Sequence, residues 1–354
     1  MLYVTTRNHA VTYTAQATLE LAAPPDGSLF CPMKLPEYHR QELADLLRRG
    51  FWDCVARILN QFFPLCLRQE DLKAGDLSVP GFAGIGRKII AAELWDRRTG
   101  SFSGVMETLC ARLGAQKQQA VSWPQIAVGV AMLFGLYGEL CRSGWLQFSE
   151  RLNVAMATGE FCMPMAVAYA RQMGLPLGTA VCVCNENGRL WELLHRGETK
   201  LDFRAQKTVL PLLDVGLPQN LERLVAQRLG HQAAAQFALI RDRRGLYTLN
   251  EVQLEILREG FFVSVVGSAR AKSLIPTLYE NAHCLLSPYT ALVYSGLMDF
   301  RSLGGESAPV LLLGEESPLR WGEDVLQALK LPVENLVSQI GMLEAQAAAG
   351  RKGD

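Results

Sequence analysis

From Gln118 to Gly138 the chain carries no charged residue, and every position from Ile126 to Phe134 is apolar or glycine. A stretch of this length folds in one of two ways: it spans a membrane, or it forms a helix buried on all sides. Pro124 and Gln125 interrupt its start, alanine and glycine dilute it, and no basic cluster flanks it to set an orientation. A buried helix is therefore expected, and it needs a large body around it. With 354 residues the chain can supply two domains, or one large α/β unit with an appendage.

Composition excludes several function classes. Apolar residues make up 49%, charged residues 20%, and 35 basic side chains balance 35 acidic ones. With no net charge, neither nucleic acid nor a membrane surface is expected as a partner, since both demand a basic face. Nine cysteines are scattered without a C-x-x-C pair. No secretory leader is legible after Met1, so reduced thiols in a cytoplasmic protein are expected.

The middle of the chain alternates strand and helix. Leu152 to Ala157 reads as a buried strand, Thr158-Gly159 as a turn, and Phe161 to Met173 as a helix stopped by Gly174 and Pro176. Thr179 to Val183 is a second strand, and Asn185 to Gly188 turns into a helix ending near Gly197. Phe261 to Val266 and Pro309 to Leu313 are further strands, each followed by a helical segment. That order predicts a parallel sheet with helices on its faces, an α/β fold. The N-terminal region reads as mainly helical, including an amphipathic helix over Phe51 to Phe63. Gly81 to Gly86 reads as a glycine-rich loop that lacks the G-K-[ST] ending of a phosphate loop. Four segments are expected: an N-terminal region 1–90, a short connecting segment 91–121, an α/β core 122–345 and a flexible tail 346–354.

Thr158-Gly159-Glu160-Phe161, between strand and helix, is the most informative candidate site. A helix N-terminus suits an anion, and glycine lets a ligand approach the backbone. Glu160 sets a negative charge there, either to support its own helix or to fill the anion position in cis. Other constellations are weaker. Cys182 and Cys184 share a strand face but lack further ligands nearby, so no metal site is expected. Ser103 as a hydrolase nucleophile would need a base, and none of the five histidines sits in a recognisable motif. Arg241-Asp242-Arg243-Arg244-Gly245 reads as a solvated charged turn.

Eight segments, in order, resemble the threonine synthase family. Leu2 to Arg7 and Ala23 to Pro32 resemble the two halves of its N-terminal signature. Glu93 to Gly104 is similar to the family's E-L-F-H-G-P-T-L-A-F-K-D, with Glu93, Leu94, Thr99 and Phe102 matching. Ala157 to Met163 resembles its phosphate loop P-T-G-N-F-G-N, with Thr158, Gly159 and Phe161 matching. Met173 to Pro176, Cys184 to Asn187, Asn220 to Leu224, Ser287 to Ala291 and Ser317 to Trp321 resemble its M-G-L-P, T-N-E-N, N-L-E-R-L, D-P-H-T-A and S-P-x-K-F.

The resemblance implies a fold type II pyridoxal-phosphate scaffold and a lyase activity. It implies Thr158, Gly159, Glu160, Phe161 and Thr290 as cofactor-binding positions. The family's Schiff-base lysine falls on Ser103, its aspartate on Gly104, and its phosphate-loop asparagine and second glycine on Glu160 and Cys162. Only Val105 to Val121 stands where the family carries a much longer stretch, including S-G-D-T-G and much of a smaller sheet domain. Serine has no amine and forms no imine, and Lys88 and Lys117 lie too far along the chain to replace the lysine. A truncated scaffold with no catalytic residue and no cofactor is expected, binding a small metabolite or a partner protein, a second copy included. An active pyridoxal-phosphate carbon-oxygen lyase with relocated chemistry is the alternative.

Overall fold

The computed structural model describes residues 1–73, 77–116, 121–201, 204–305 and 307–351. Strands β1 (Leu2–Thr5), β2 (Tyr13–Thr14) and β3 (Phe30–Pro32) form a small antiparallel sheet in the order β2-β1-β3. The N-terminal region is thus not purely helical. β1 is fixed by Tyr3, whose buried hydroxyl donates to Phe62 O at 2.9 Å and accepts from Trp123 Nε1 at 3.0 Å. Those two bonds join the sheet to the helices Phe51–Phe62 and Trp123–Arg142.

The helix Trp123–Arg142 is the buried helix that the uncharged stretch demanded. It is the one helix among the described residues long and apolar enough to cross a membrane, yet 89% of its most apolar window lies inside the protein. Pro124 sits in its first turn, where no intrahelical N–H bond is lost. Its glycines allow close packing. A side chain at Gly135 would meet the Phe51 ring at 2.9 Å, and one at Gly129 would meet Ala166 Cβ at 3.0 Å.

The main sheet gathers β4 (Gly81–Gly86), β5 (Ile89–Glu93), β6 (Leu152–Ala157), β7 (Leu177–Cys184), β10 (Phe261–Val265) and β11 (Val310–Gly314), in the order β10-β7-β6-β11-β5-β4. β8 (Glu198–Lys200) and β9 (Leu246–Thr248) pair separately. Five of the six main strands run parallel, and only β4 runs antiparallel, at the edge. Gly81 to Gly86 is therefore a strand and not a loop. Its glycines hide a half-buried alternation in which Ala83 and Ile85 point inward.

Alternate residues of the strands feed two cores. Val154, Met156, Cys182, Leu311 and Leu313 pack with the helices Trp123–Arg142 and Cys162–Gln172. Ala155, Val181, Val183, Val310 and Leu312 pack with the helices Ser268–Ala282 and Pro288–Ser302. A parallel sheet covered on both faces needs such continuous apolar runs. The segment from residue 346, expected to be flexible, continues a helix over Leu336–Gly350, where Ala347 is 3% exposed. Residues 352–354 of that tail lie outside the described residues.

Candidate functional site

The chain leaves β6 toward β7 and β10, then returns to β11 on the other side of β6. In parallel sheets a crevice opens at such a reversal, beyond the carboxyl ends of the strands. Here a cavity of about 270 Å³ lies there, between the end of β6 at Ala157 and the end of β11 at Glu315. The helix Phe102–Arg112 contributes Phe102, Ser103 and Met106, and the helix Cys162–Gln172 contributes Cys162, Met163 and Pro164. Leu212 and Leu213, from a 3₁₀ turn, and Tyr289 close the remaining side.

Of the positions marked in the sequence, Gly159, Glu160 and Phe161 line the cavity together with Ser103 and Cys162. Thr158 and Thr290 are buried and do not line it. Thr158 donates to Met156 O at 3.4 Å, while Thr290 and Ser287 pair through their hydroxyls at 3.0 Å. Ser103 is exposed in the first turn of its helix, its hydroxyl 2.6 Å from that of Ser101. Gly104 is held to glycine by Thr99, since a Cβ there would lie 2.2 Å from Thr99 Oγ1. Thr99 is anchored in turn by Asp96, which accepts from its N–H at 2.6 Å and from its hydroxyl at 3.0 Å. An aspartate at position 104 does not fit beside that turn.

The Thr158–Phe161 turn is occupied by the protein's own chain. Leu212 O lies 3.3 Å from where a Gly159 Cβ would be. Phe161 adopts the left-handed conformation at φ 63°, costly for a residue with a Cβ, and starts the helix behind it. Pro164 then removes one of the N–H groups that the helix start would present. Glu160 lines the cavity, and its carboxylate accepts from Gln219 N at 2.9 Å, beside the start of the helix Leu221–Leu229. Asn220 Nδ2 donates to Glu160 O at 2.8 Å and ties the two segments together.

Sequence reasoning did not single out Glu315 and Glu316. Glu316 is buried and satisfied: it accepts from Trp321 Nε1 at 3.0 Å and pairs with Arg320 Nε at 3.3 Å. Glu315 is part-buried, and its Oε1 is enclosed with no hydrogen-bond partner. Burial, with the neighbouring Glu316 adding to it, pushes the Glu315 carboxyl up to about 8. Burial likewise pushes the Cys162 thiol up to about 12, so it is not a ready nucleophile. The signal available in the sequence was the pair of carboxylates immediately after the all-apolar run Val310 to Gly314, at a strand's carboxyl end.

Other sequence candidates resolve plainly. No lysine or arginine among the described residues lines the cavity. Lys88 precedes β5 and so lies at the opposite end of the sheet, and Lys117 lies outside the described residues. No histidine lines the cavity near Ser103. All nine cysteines are free, Cys182 and Cys184 are core, and no metal-holding group occurs among the described residues. Arg241, expected in a solvated turn, instead reaches the buried Glu222 at 3.0 Å.

Several motif segments build the fold. Glu222 also accepts from Thr6 Oγ1 at 2.5 Å and from Arg7 Nε and Nη2 at 2.9 Å each. The Asn185 and Asn187 side-chain amides both bond Asp214 Oδ1, at 2.8 and 3.2 Å, and Glu186 caps the helix Ser268–Ala282 through Ser268 N at 2.8 Å.

Known proteins match this arrangement. Residues 2–75 match the family model "Threonine synthase N terminus". The chain is 24% identical to threonine synthase-like 1 of Macaca fascicularis over 226 residues, covering 62% of this chain and 30% of that protein. It is 24% identical to a threonine synthase of Methylobacillus glycogenes over 244 residues, covering 65% of this chain and 50% of that one. The chain thus spans from under a third to half the length of these relatives. The crystal structure of PLP-bound threonine synthase from Brucella melitensis superposes with a TM-score of 0.79 at 17% identity, covering 93% of this chain and 91% of that one. Fold and crevice together define a fold type II pyridoxal-phosphate-enzyme scaffold. Within that class the chain is similar to threonine synthases and threonine synthase-like proteins, and its residues 2–75 match that family's N-terminal model.

Proposed function

We propose that this protein is a non-catalytic member of its family, which has given up pyridoxal phosphate and uses the remaining crevice to bind a small metabolite. The observation that carries this reading is the lining of the cavity, where Ser103 stands in place of the Schiff-base lysine and no cationic side chain is present among the described residues. A phosphorylated aldehyde needs an amine for imine formation and cationic or N–H donors for its phosphate. The crevice wall carries three acidic side chains instead, with Glu160 bonded to Gln219 N, Glu316 paired with Arg320, and Glu315 pushed up to about 8 by burial. Over the phosphate-loop turn, Leu212 O and Pro164 take space and a donor from an anion. The residues present do not fit the cofactor.

The connection after the helix Phe102–Arg112 supports the same reading. That helix leads through residues 113–122 directly to the helix Trp123–Arg142, with no strand among the described residues between them. A closing domain that shields reactive intermediates from water has no segment to come from there. Borohydride reduction after incubation with pyridoxal phosphate tests the proposal. No visible aldimine absorbance and no covalent adduct by mass spectrometry are expected. A bleached chromophore fixed to a lysine of this chain would establish the lyase reading instead.

A further inference from the structure

We infer that the crevice holds a small neutral molecule with a donor–acceptor edge, a carboxamide or lactam on a body of one ring, paired with the side-chain amide of Gln125. This rests on the reading that the crevice has given up its phosphorylated cofactor. Gln125 is the third residue of the helix Trp123–Arg142 and the polar interruption near the start of the uncharged stretch. It lines the cavity, and only 9% of it is exposed. Its amide makes no hydrogen bond among the described residues. Neither amide atom is among the fully enclosed unpartnered ones, so the surface that Gln125 keeps opens on the crevice.

The local sequence offers Gln125 another partner, which it does not take. Ser122-Trp123-Pro124-Gln125 has the S-x-x-Q spacing of a capping box, in which the glutamine side chain reaches back to the N–H of the serine. Such a box forms elsewhere in this chain. Gln253 Oε1 accepts from Asn250 N at 3.1 Å, and Asn250 Oδ1 accepts from Gln253 N at 2.8 Å. At the start of Trp123–Arg142 no side-chain cap is made, and the Ser122 hydroxyl is enclosed without a partner. Gln125 thus forgoes a bond to its own backbone and presents a carboxamide to the cavity. A polar group so buried is costly to leave unpaired.

The walls decide what can meet that amide. A carboxamide offers one acceptor and two donors, so its complement carries a donor beside an acceptor. An anion finds no lysine or arginine among the described lining residues. A cation is not called for either, since Glu160 and Glu316 already have partners and the unpaired Oε1 of Glu315 is enclosed. No metal-holding group occurs among the described residues. Phe102, Met106, Met163, Leu213 and Tyr289 give an apolar or aromatic body its partners. The volume of about 270 Å³ lies near the lower end for ligand pockets, which limits that body to a single ring.

The test is calorimetric titration of the full chain with benzamide and 2-piperidone, against acetophenone, benzoate and benzylamine. The four aromatic probes share one ring and differ at the polar edge. Saturable binding of an amide is expected, with acetophenone, which lacks the donor, about tenfold weaker, and no saturable heat from benzoate or benzylamine. Gln125→Met keeps the length of the side chain without its amide and is expected to bring benzamide down to the level of acetophenone. Leu212→Trp, at a 47% exposed position on the rim, fills the cavity while leaving Gln125 in place and is expected to abolish binding. Binding of neither amide, equal binding of acetophenone, tighter binding of either charged probe, or unchanged binding by Gln125→Met would overturn the inference. An aldimine chromophore with pyridoxal phosphate would instead overturn the reading on which it rests, so the two failures are distinguishable.

Discussion

Three carboxylates that could face the same ligand have three different fates. Glu160 bonds Gln219 N, Glu316 pairs with Arg320 and Trp321, and Glu315 Oε1 stays unpaired. The last has a consequence for stability. Below the ordinary glutamate value of 4.5, Glu315 is protonated in both folded and unfolded chains and has no effect on stability. Between 4.5 and about 8 the unfolded chain ionises while the folded one keeps its proton, so folding stability falls as pH rises. Glu316 and Glu93, also raised by burial, add slopes of the same sign. Glu315→Gln is expected to be the more stable protein at pH 8, on the order of 1 kcal/mol, and to show a shallower pH dependence in urea unfolding. Glu222 is the opposite case, fully buried and paired with Thr6, Arg7 and Arg241. Glu222→Ala is expected to cost about 3–5 kcal/mol in the same assay, because it leaves Arg7 and Arg241 without their shared partner.

At the scale of elements, the apolar runs were legible and the glycine-rich ones were not. β6 and β11 lie within two residues of their sequence expectations, because a strand buried on both faces leaves a continuous apolar run. β4 was missed because three glycines in six residues read as a loop, and only pairing with β5 makes them a strand. The helix Leu336–Gly350 was cut short because its end is rich in alanine, and its burial there depends on partners far away in sequence. Within the site, Gly159, Glu160, Phe161 and Ser103 were legible through the resemblance. Glu315 was not, since nothing local reveals that its carboxyl lacks a partner. The helix Trp123–Arg142 makes a direct test of close packing. Gly135→Val would drive methyl groups into Phe51 and Val55, about 3 Å away. It is expected to lower stability by about 1–3 kcal/mol, read from the unfolding midpoint.

Across the whole molecule, the threonine synthase fold persists, while the cavity at its crevice has Ser103 and no cationic side chain among the described residues that line it. The motif segments split into two groups by what they touch. Thr6, Arg7, Asn187, Glu186 and Glu222 hold distant segments of this chain together. Ser103, Gly104, Glu160 and Cys162, the positions that depart from the family pattern, lie at or beside the crevice. Restoring one of them does not restore the rest. Ser103→Lys is expected to give no aldimine absorbance with pyridoxal phosphate, because Leu212 O and Pro164 still take space and a donor from its phosphate and no cationic side chain among the described residues lines the cavity. Formation of that chromophore would show that the lysine alone had been lost.

Calorimetric titration of the purified full chain with pyridoxal phosphate tests the proposed loss of the cofactor most directly, since it registers non-covalent binding as well as imine formation. The expected result is no saturable heat. Saturable binding would contradict the proposed loss of the cofactor.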